Sequence, residues 1–232
     1  MIIMEQYYEI EPWHPEEDFE KIIKATRMCY QSESLSNTQE EKEAFLRKRI
    51  EQGHLSPFEH SSLSVTFVTN RGVTHELVRH RLAAYSQEST RYCNYSKPKF
   101  DVTFNDLESD DSHVLFNDGT GNVRFIYDPC IKEDDQFRWR MDMRMAENTY
   151  LKYLNDGYSP QVARAFLPND LKTQIMVTAN LREWRHIFEL RCDKAAHPHI
   201  RALLTPLLKE VQSRIPVIFD DILERVECQE TH

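Results

Sequence analysis

Residues 79–92 concentrate the polar chemistry of this sequence, because RHRLAAYSQESTRY places three arginines and one histidine within fourteen residues. Its other polar residues include Ser86, Gln87, Glu88, Ser89 and Thr90. Neither a glycine-rich loop nor an apolar repeat accounts for this composition. Guanidinium groups bind phosphate and carboxylate through paired hydrogen bonds and stay charged at every working pH. Because clustered cations repel one another, we predict that an anion or an acidic partner binds here.

The charge balance of the whole chain limits what that partner can be. The sequence holds 38 acidic and 29 basic residues, which gives a formal net charge of −9 and a pI near 5.6. A surface that grips nucleic acid needs a basic face, because binding neutralises backbone phosphates. A basic pocket on an acidic protein suits a small anion better, so we predict no nucleic-acid partner.

The cysteines and the N-terminal residues indicate the compartment. The cysteines are odd in number and lack the C-x-x-C spacing of zinc or redox sites. They are Cys29, Cys93, Cys130, Cys192 and Cys228. The N-terminal residues show no basic segment followed by an apolar one, and no stretch approaches the ~20 apolar residues of a membrane span. We therefore expect free thiols, a cytoplasmic location and no membrane partner.

Start and stop signals predict the elements that precede the polar stretch. The first residues, IIMEQYYEI, alternate as an edge strand does, and Pro15 opens a helix with an apolar face. Thr38 and Glu41 form a capping-box pair before a second helix, which Gly53 ends in the left-handed C′ position. The alternating segment LSVTFV then predicts a strand.

The polar stretch itself begins on a predicted helix. Residues 74–83 fit a short helix whose neighbouring faces present Glu76, Arg79 and His80, and a loop is predicted from there to Ser89. A charged helix face is commonly only solvated surface, and that alternative stands for the helix taken alone. The spacing from the arginines to Ser89 is what favours a site.

The middle of the chain supplies one long helix. Residues 101–130 are interpreted as an exposed, acidic and turn-rich excursion. Residues 131–155 predict a long amphipathic helix that Gly157 closes. Its apolar positions are Phe137, Met141, Met145, Tyr150 and Leu154. The methionines among them are best explained by packing in the core or against another subunit.

The last third alternates short elements with a helical scaffold. Pro160 starts a helix that Pro168 ends, and residues 171–180 alternate as a strand. Asn180 is a natural N-cap for the helix LREWRHIFELR, and residues 194–226 are predicted to be helical, interrupted at Pro206 and Pro216. Together these elements predict a single α+β domain over residues 1–232, with a mixed or antiparallel sheet packed against long helices.

The polar stretch resembles the signature of a known family. Arg79, His80 and Arg81, seven further residues and then Ser89 match the RHR-x7-S motif of the flavin-dependent thymidylate synthases, and Arg91 follows at the family's spacing. A fuller form of the motif has Ser, Asn and Glu at three positions between them. This chain departs from it with Ala84, Ser86 and Gln87.

The resemblance extends from about residue 54 to residue 201. A Pro-Phe-Glu-His turn follows Ser56, and an A-R-x-x-L-P segment contains Arg164. The last matching helix begins with Asn180, Leu181 and Arg182, has His186 four residues beyond that arginine, and ends with Arg191 and Asp193. Where the family often has Gln, this chain has His197, to which we assign no role.

The resemblance implies a reaction: reductive methylation of dUMP to dTMP, with methylenetetrahydrofolate as the folate that gives the carbon, FAD as hydride carrier and NADPH as reductant. It also implies a homotetramer of the family's fold with active sites between subunits. The implied FAD-binding residues are Ser56, Arg79, His80, Arg81, Gln87, Asn180, Leu181, Arg182 and His186. The implied dUMP-binding residues are Glu76, Arg79, Gln87, Glu88, Ser89, Thr90, Arg91, Arg164 and Arg191. Arg191 is the implied catalytic residue, acting electrostatically on the uracil ring.

Other functions use some of the same residues. A nucleic-acid module would use Arg79, Arg81 and Arg91 on phosphates and would show salt-sensitive binding without bound flavin. A metal hydrolase would recruit histidines from His54, His60, His75, His80, His197 and His199. The segment HELVRH separates two of them by five positions, unlike the HExxH spacing, so we predict no metal.

Single nucleophiles and single arginines also have alternatives. Ser89 lacks an adjacent base in the sequence, which favours binding over nucleophilic attack. Cys93 and Cys192 lie near arginine-rich segments, where a thiol pKa is expected to fall, as in the unrelated thymidylate synthases that attack uracil with a thiolate. Arg164 alternatively forms an ion pair at the edge of the core, and Arg191 alternatively serves the dipole at a helix C-terminus.

Overall fold

The computed structural model describes residues 1–30, 38–97, 112–119 and 121–230. The strands in these ranges are β1 (Ile2–Met4), β2 (Tyr7–Ile10), β3 (Ser62–Asn70), β4 (Ala83–Gln87), β5 (Val114–Asn117), β6 (Arg124–Ile126) and β7 (Lys172–Asn180). The helices are α1 (Pro15–Tyr30), α2 (Gln39–Glu51), α3 (Arg71–Leu77), α4 (Gln136–Asn155), α5 (Pro160–Ala163), α6 (Leu181–Arg191), α7 (Pro198–Arg214) and α8 (Asp220–Glu230). Short 3-10 turns cover Ser56–His60, Glu133–Asp135 and Arg164–Phe166.

The first two helices begin and end as their signals predict. Pro15 is the first residue of α1, and three acidic residues follow it in the first turn, where the helix dipole favours negative charge. At α2 the hydroxyl of Thr38 accepts from the backbone N–H of Glu41 at 3.4 Å and donates to its carboxylate at 2.7 Å. Gly53 follows the C-cap with φ of 72°, so the predicted left-handed glycine is confirmed.

The chain divides into two compact units, and the first comprises Met1–Glu9, Thr66–Arg79 and Tyr85–Met176. Its three-stranded sheet has the order β5-β1-β6. Strand β1 runs antiparallel to β5, with Ile3 opposite Phe116, and parallel to β6, with Ile3 opposite Phe125. A buried apolar cluster surrounds this sheet, made of Met1, Ile3, Tyr95, Val123, Phe125, Trp139, Met143, Tyr150, Ala163 and Leu171.

This sheet corrects two predictions. Strand β1 was expected at an edge but lies in the centre, because β5 and β6, more than a hundred residues away, pair with both of its sides. The exposed excursion predicted for residues 101–130 is also wrong at residues 123–126, although residues 112–119 are exposed or partly exposed. Val123, Phe125 and Ile126 are fully buried, since β6 contributes to the core. Residues 101–111 and 120 lie outside the described residues.

The second unit comprises Ile10–Val65, His80–Ala84 and the chain from Val177 onwards. Aromatic rings fill its interior: the rings of Trp184 and Phe188 lie 5.4 Å apart, and Phe219 meets Phe188 edge-on at 5.6 Å. The indole N–H of Trp184 donates to the backbone oxygen of Leu63 at 2.9 Å, so the buried polar atom is satisfied. The core of this unit therefore rests largely on α6, the helix that carries several candidate site residues.

A four-stranded sheet has the order β2-β3-β7-β4. The edge position predicted for the N-terminal segment is thus confirmed for β2. Strand β7 shows the predicted alternation, with Ile175, Val177 and Ala179 buried. The mixed and antiparallel sheets together with the helices confirm the α+β class.

The helix predicted for residues 74–83 is displaced. It spans Arg71–Leu77 instead, because Asn70 caps it by accepting a hydrogen bond from the N–H of Val73 at 2.8 Å. Part of the predicted helix and the predicted loop form β4 (Ala83–Gln87), the neighbour of β7 in the sheet. Pairing with a strand far away in sequence has outweighed the local helical pattern.

Helix α4 ends before Gly157, whose φ is 89°, as predicted, but the predicted apolar stripe is buried only at its C-terminal end, at Tyr150 and partly at Leu154. Trp139, Met143, Glu147 and Tyr150 are buried. Phe137, Met141 and Met145 are 75%, 46% and 64% exposed. Two apolar stripes share this helix, and periodicity alone cannot tell which one meets the core.

The C-terminal helices correct one further prediction. Pro206 lies inside α7 and does not interrupt it, whereas the interruption at Pro216 is confirmed. A proline inside a helix costs about 3 kcal/mol. Here buried leucines flank Pro206 on both sides, Leu203, Leu204, Leu207 and Leu208, and their burial outweighs that cost.

Among the described helices, none has the length and hydropathy needed to cross a bilayer.

Candidate active site

Helix α6 starts directly where strand β7 ends, and Asn180 makes the junction. The side-chain oxygen of Asn180 accepts from the N–H of Glu183 at 2.8 Å, which confirms the predicted N-cap. The N–H of Leu181, the first helical residue, donates to the backbone oxygen of Ser61 at 2.9 Å. Arg182 and His186 are exposed on one face of the helix, as their spacing predicts. The opposite face is buried.

His80 lies at the centre of a polar cluster in the second unit. Its side chain is 2% exposed, and its Nε2 atom is 3.1 Å from Nε of Arg191. Its Nδ1 atom lies 3.6 Å from a carboxylate oxygen of Glu183, and its ring meets that of His186 edge-on at 5.4 Å. The structure therefore brings together three residues that the sequence assigned to the site and adds Glu183.

The protonation state of His80 follows from its neighbours. Burial first, and then the charges of Arg191 and His186, lower the pKa of His80 to about 4. The ring is thus neutral at physiological pH. A guanidinium can only donate hydrogen bonds, so Nε2 is the accepting nitrogen and the ring proton sits on Nδ1, facing Glu183. Burial raises the pKa of the Glu183 carboxyl, while His186 and Arg182 oppose that rise.

A cavity in the second unit contains two residues assigned to FAD. Its volume is about 470 Å³, and Ser56 and Arg182 lie in its wall. The remaining wall consists of Thr26, Cys29, Tyr30, Gly53, His54, Leu55 and Pro57. Phe58 is completely buried, so the turn before β3 anchors itself in the core and leaves Ser56 exposed. Arg182 donates to the carboxylate of Glu59 at 2.6 Å, and both side chains are about half exposed.

In the first unit, two arginines converge on the turn that follows β4. The guanidinium of Arg164 donates to the hydroxyl of Thr90 at 3.1 Å, and Nε of Arg91 donates to Gln161 at 3.4 Å. The hydroxyl of Ser89 accepts from the N–H of Arg91 at 3.3 Å. Both arginines are exposed, and no carboxylate of the described residues lies within ion-pair distance of either. Two hydroxyls and one cation of this turn thus meet a second cation, that of Arg164.

A buried network holds that turn in place. It consists of Glu88, Tyr95 and Lys172. The ammonium of Lys172 is 2.9 Å from the carboxylate of Glu88, which also accepts from the Tyr95 hydroxyl at 2.6 Å. Burial and the Glu88 charge raise the pKa of Tyr95, so the hydroxyl keeps its proton and donates. Both carboxylate oxygens of Glu88, assigned to dUMP by the resemblance, therefore have protein partners.

Gln87 occupies a position where the fuller family motif has Glu. Its amide nitrogen donates to the hydroxyls of Thr74 at 2.9 Å and Thr173 at 3.3 Å. Both threonines are fully buried. A carboxylate could accept from these hydroxyls, whereas the amide of Gln87 donates to them, so the same contacts survive with reversed polarity.

The remaining assigned residues lie around the RHR segment. Arg79 and Arg81 are exposed in the turn between α3 and β4, and Glu76 is half-buried on α3. Glu76 and Arg79 belong to the first unit and Arg81 to the second. Sequence reasoning missed Glu183, Lys172 and Tyr95. Only the first had a signal, since Glu three residues after an Asn N-cap is a capping-box pattern.

The contacts also bear on the alternative chemistries. The histidines proposed for a hydrolase do not cluster with one another among the described residues; the candidate ligand group found there is His80, Glu183 and His186, whose ligand atoms lie within 4.8 Å. The positive charge of Arg191, which donates a hydrogen bond to His80, disfavours a metal ion at that place.

The fall that the sequence predicted for the pKa of Cys93 is wrong, because burial and then the charge of Glu88 raise that pKa. A thiolate is disfavoured there.

Comparisons with known proteins agree with the motif. The profile of the family described as Thymidylate synthase complementing protein matches residues 13–217. The chain is 33% identical over 204 residues to the flavin-dependent thymidylate synthase of Geobacter sulfurreducens, covering 85% of this chain and 78% of the relative. It is 32% identical over 200 residues to that of Mycobacterium bovis and 34% identical over 209 residues to that of Mycolicibacterium gilvum, covering 85% of this chain and 76% of each relative. The chain belongs to the flavin-dependent thymidylate synthase family.

Proposed function

We propose that this protein converts dUMP to dTMP by reductive methylation, with FAD as cofactor and methylenetetrahydrofolate and NADPH as co-substrates. Family membership supports the reaction. The observation that carries the proposal to this chain is the turn after β4, where Arg91 and Arg164 lie beside Ser89 and Thr90 without a carboxylate partner among the described residues. A nucleotide monophosphate supplies the dianion that such a turn can bind.

The phosphate of dUMP is the group that this turn would hold. The guanidiniums of Arg91 and Arg164 are exposed and available for charge-assisted hydrogen bonds. The hydroxyls of Ser89 and Thr90 add neutral donors. Glu88, by contrast, serves the turn through Lys172 and not as a phosphate contact, because a carboxylate would repel the phosphate.

Arg191 is the residue we assign to the uracil ring. C5 of uracil becomes a better nucleophile when negative charge at N3 and the ring carbonyls is stabilised. A guanidinium keeps its proton at every working pH, so Arg191 acts by electrostatic stabilisation and not as a base. Neutral His80 accepts a hydrogen bond from Nε of Arg191 at 3.1 Å and so holds the guanidinium.

The residues of the second unit fit FAD. A cavity of about 470 Å³ lies in the usual range for ligand sites, and Ser56 and Arg182 place a hydroxyl and a cation in its wall. That donor set suits a pyrophosphate, and we assign Ser56, Arg182 and His186, with Arg81 of the same unit, to holding it. When bound, FAD supplies the two-electron redox chemistry that reductive methylation requires.

We further propose that the chain acts as one domain and assembles as a homotetramer. A single continuous family match over residues 13–217 supports one domain. The exposed stripe of Phe137, Met141 and Met145 on α4, four residues apart, supports an apolar interface between copies. Met141→Glu should lower the oligomeric state in light scattering. A wild-type protein that is monomeric at micromolar concentration would contradict the assembly.

The experiment that tests the function begins with an absorption spectrum of the purified protein, before and after adding FAD. Oxidised flavin absorbs near roughly 370 and 450 nm. Flavin-loaded protein is then mixed with NADPH, dUMP and methylenetetrahydrofolate without oxygen, and dTMP is measured by chromatography. Arg191→Ala should bind FAD normally and form no dTMP. The function is refuted if loaded wild-type protein forms no dTMP.

A further inference from the structure

Glu183 is a buried carboxylate that the reaction leaves without a role. Its side chain is 7% exposed, although ionised carboxyl groups are almost never fully buried unless they have partners. As the third residue of α6 it suits a capping box and the helix dipole. Those roles place a carboxylate at the helix start but do not require it to face a histidine. Its carboxylate nonetheless lies 3.6 Å from Nδ1 of His80.

We propose that Glu183 and His80 are positioning residues for Arg191, forming a carboxylate–imidazole–guanidinium chain that fixes how Arg191 is presented to the pyrimidine. The inference rests on the proposed function, since it needs Arg191 to act on uracil. Glu183 faces Nδ1 of His80, and Nε2 of His80 accepts from Nε of Arg191 at 3.1 Å. Each member therefore constrains the next.

The link from Glu183 to Arg191 depends on the tautomer of His80. A neutral imidazole carries one ring proton, and the ring can hold Arg191 only when Nε2 is unprotonated. A carboxylate opposite Nδ1 favours the proton on that nitrogen, so Nε2 stays unprotonated and can accept from Arg191. Without Glu183 the other tautomer gains population. In that tautomer an N–H points at a guanidinium N–H, and the contact is lost.

The same geometry favours the carboxylate–imidazole–guanidinium arrangement over a metal site. His80, Glu183 and His186 could offer three ligand atoms within 4.8 Å. However, the guanidinium of Arg191 lies 3.1 Å from His80, and a divalent cation beside it would suffer direct charge repulsion. Metal analysis of the purified protein provides one arm of the test. A stoichiometric metal that is lost in Glu183→Gln would overturn the proposal.

The main test compares Glu183→Leu and Glu183→Gln with wild-type protein loaded with FAD. Leucine removes every acceptor, whereas glutamine keeps one neutral oxygen. Loss of the outer partner of a metal-ligating histidine commonly costs about 10–100-fold in activity, and we expect a loss of the same order for a histidine that orients Arg191. We expect single-turnover dTMP formation to fall by at least about 10-fold in the leucine variant and by less in the glutamine variant. Affinity for dUMP and FAD occupancy should stay within about 3-fold.

The matched control is Glu189→Gln on the same helix. Glu189 is partly exposed, pairs with the buried Arg185 at 3.8 Å and with the exposed Arg225 at 3.5 Å, and touches none of the assigned residues. Its turnover should equal that of wild type. The melting temperature of each variant distinguishes a loss of positioning from a loss of folding. Little change is expected, because replacing the buried Glu183 with leucine also removes a desolvation cost. We expect both Glu183 variants to melt within about 4 °C of wild type.

A second readout does not depend on activity. Nitrogen-15 NMR of histidine-labelled protein without substrates reports which ring nitrogen of His80 is protonated, with the signal assigned by its loss in His80→Gln. Wild type should show the proton on Nδ1, and Glu183→Leu should show a shift towards Nε2. The proposal is overturned if the tautomer or the turnover is unchanged in Glu183→Leu. It is also overturned if turnover falls only together with FAD occupancy or melting temperature. Wild-type protein that forms no dTMP but shows the expected tautomer shift refutes the proposed function alone.

Discussion

The buried network of Glu88, Tyr95 and Lys172 provides the sharpest test of the energetics. The side chains of Lys172 and Glu88 are 3% and 13% exposed, and their charged atoms are 2.9 Å apart. At an effective dielectric of about 20, such a pair attracts by about 6 kcal/mol before desolvation is counted. Lys172→Met removes that attraction and leaves the Glu88 charge buried with the Tyr95 hydroxyl as its remaining side-chain hydrogen bond.

We expect Lys172→Met to lower the free energy of unfolding by about 3 kcal/mol. Breaking a buried ion pair costs roughly 3–5 kcal/mol, and the retained bond from Tyr95 places this case at the lower end. Urea titration followed by circular dichroism measures the change. The melting temperature should fall by roughly 6–12 °C in a chain of this size.

Two further variants isolate the cause. Lys172→Met combined with Glu88→Gln should recover at least half of the loss, because the unpaired charge is gone while the Tyr95 hydroxyl keeps an acceptor. Lys209→Met is the matched control, since its partner Glu227 is 3.8 Å away and both are about half exposed, so it should cost less than about 1 kcal/mol. The reasoning is refuted if Lys172→Met costs no more than this control.

Four other outcomes follow from the contacts. Arg164→Ala should weaken dUMP binding by roughly 10-fold or more and leave FAD retention unchanged, whereas Arg182→Ala should do the reverse; equilibrium dialysis measures both, and equal effects on the two ligands would count against the assignments. Gly121→Ala should cost roughly 1–3 kcal/mol in thermal unfolding, because its Cβ would lie 2.8 Å from Cδ of the buried Glu147; an unchanged melting temperature would contradict this. His80 has a folded pKa of about 4 against 6.5 unfolded, so between these values the unfolded chain binds the extra proton and stability falls as pH drops. The pKa difference corresponds to about 3 kcal/mol of unfolding free energy, and solvent screening of the charge reduces it to roughly 1–2 kcal/mol. Urea titrations between pH 4 and 6.5 should show this loss in wild type and not in His80→Gln.

Local signals predicted the parts of the fold that local chemistry controls. The caps at Thr38 and Asn180 and the left-handed glycines at Gly53 and Gly157 lie where the sequence placed them. Each depends on a few neighbouring residues, so a short stretch contains the whole cause.

Pairing between distant segments could not be predicted in this way. The position of β1 between β5 and β6 depends on residues more than a hundred positions away, and β4 replaced a helical pattern only because β7 is its neighbour. The buried side of α4 is decided by its surroundings, including the bond from the Trp139 indole to Asp170 at 2.9 Å. Neither strand partners nor burial can be read from one periodic segment.

The candidate site shows the same division. The motif singled out His80, Ser89 and Arg91, and the family resemblance added Arg164 and Arg191. Their partners came only with the structure, because Lys172 is 84 positions from Glu88 and His80 is 111 positions from Arg191. Glu183 carried a capping-box signal, yet its approach to His80 depends on tertiary packing.

The junction between β7 and α6 has no spare residue, because Asn180 ends the strand and Leu181 begins the helix. In an α-helix each residue turns the chain by about 100°. One inserted amino acid after Asn180 would therefore rotate the azimuth of Arg182, His186 and Arg191 by more than a quarter turn relative to the sheet. Length variation among relatives should consequently be absent at this point, even where surface loops differ, and a library of random insertions should find it among the least permissive positions.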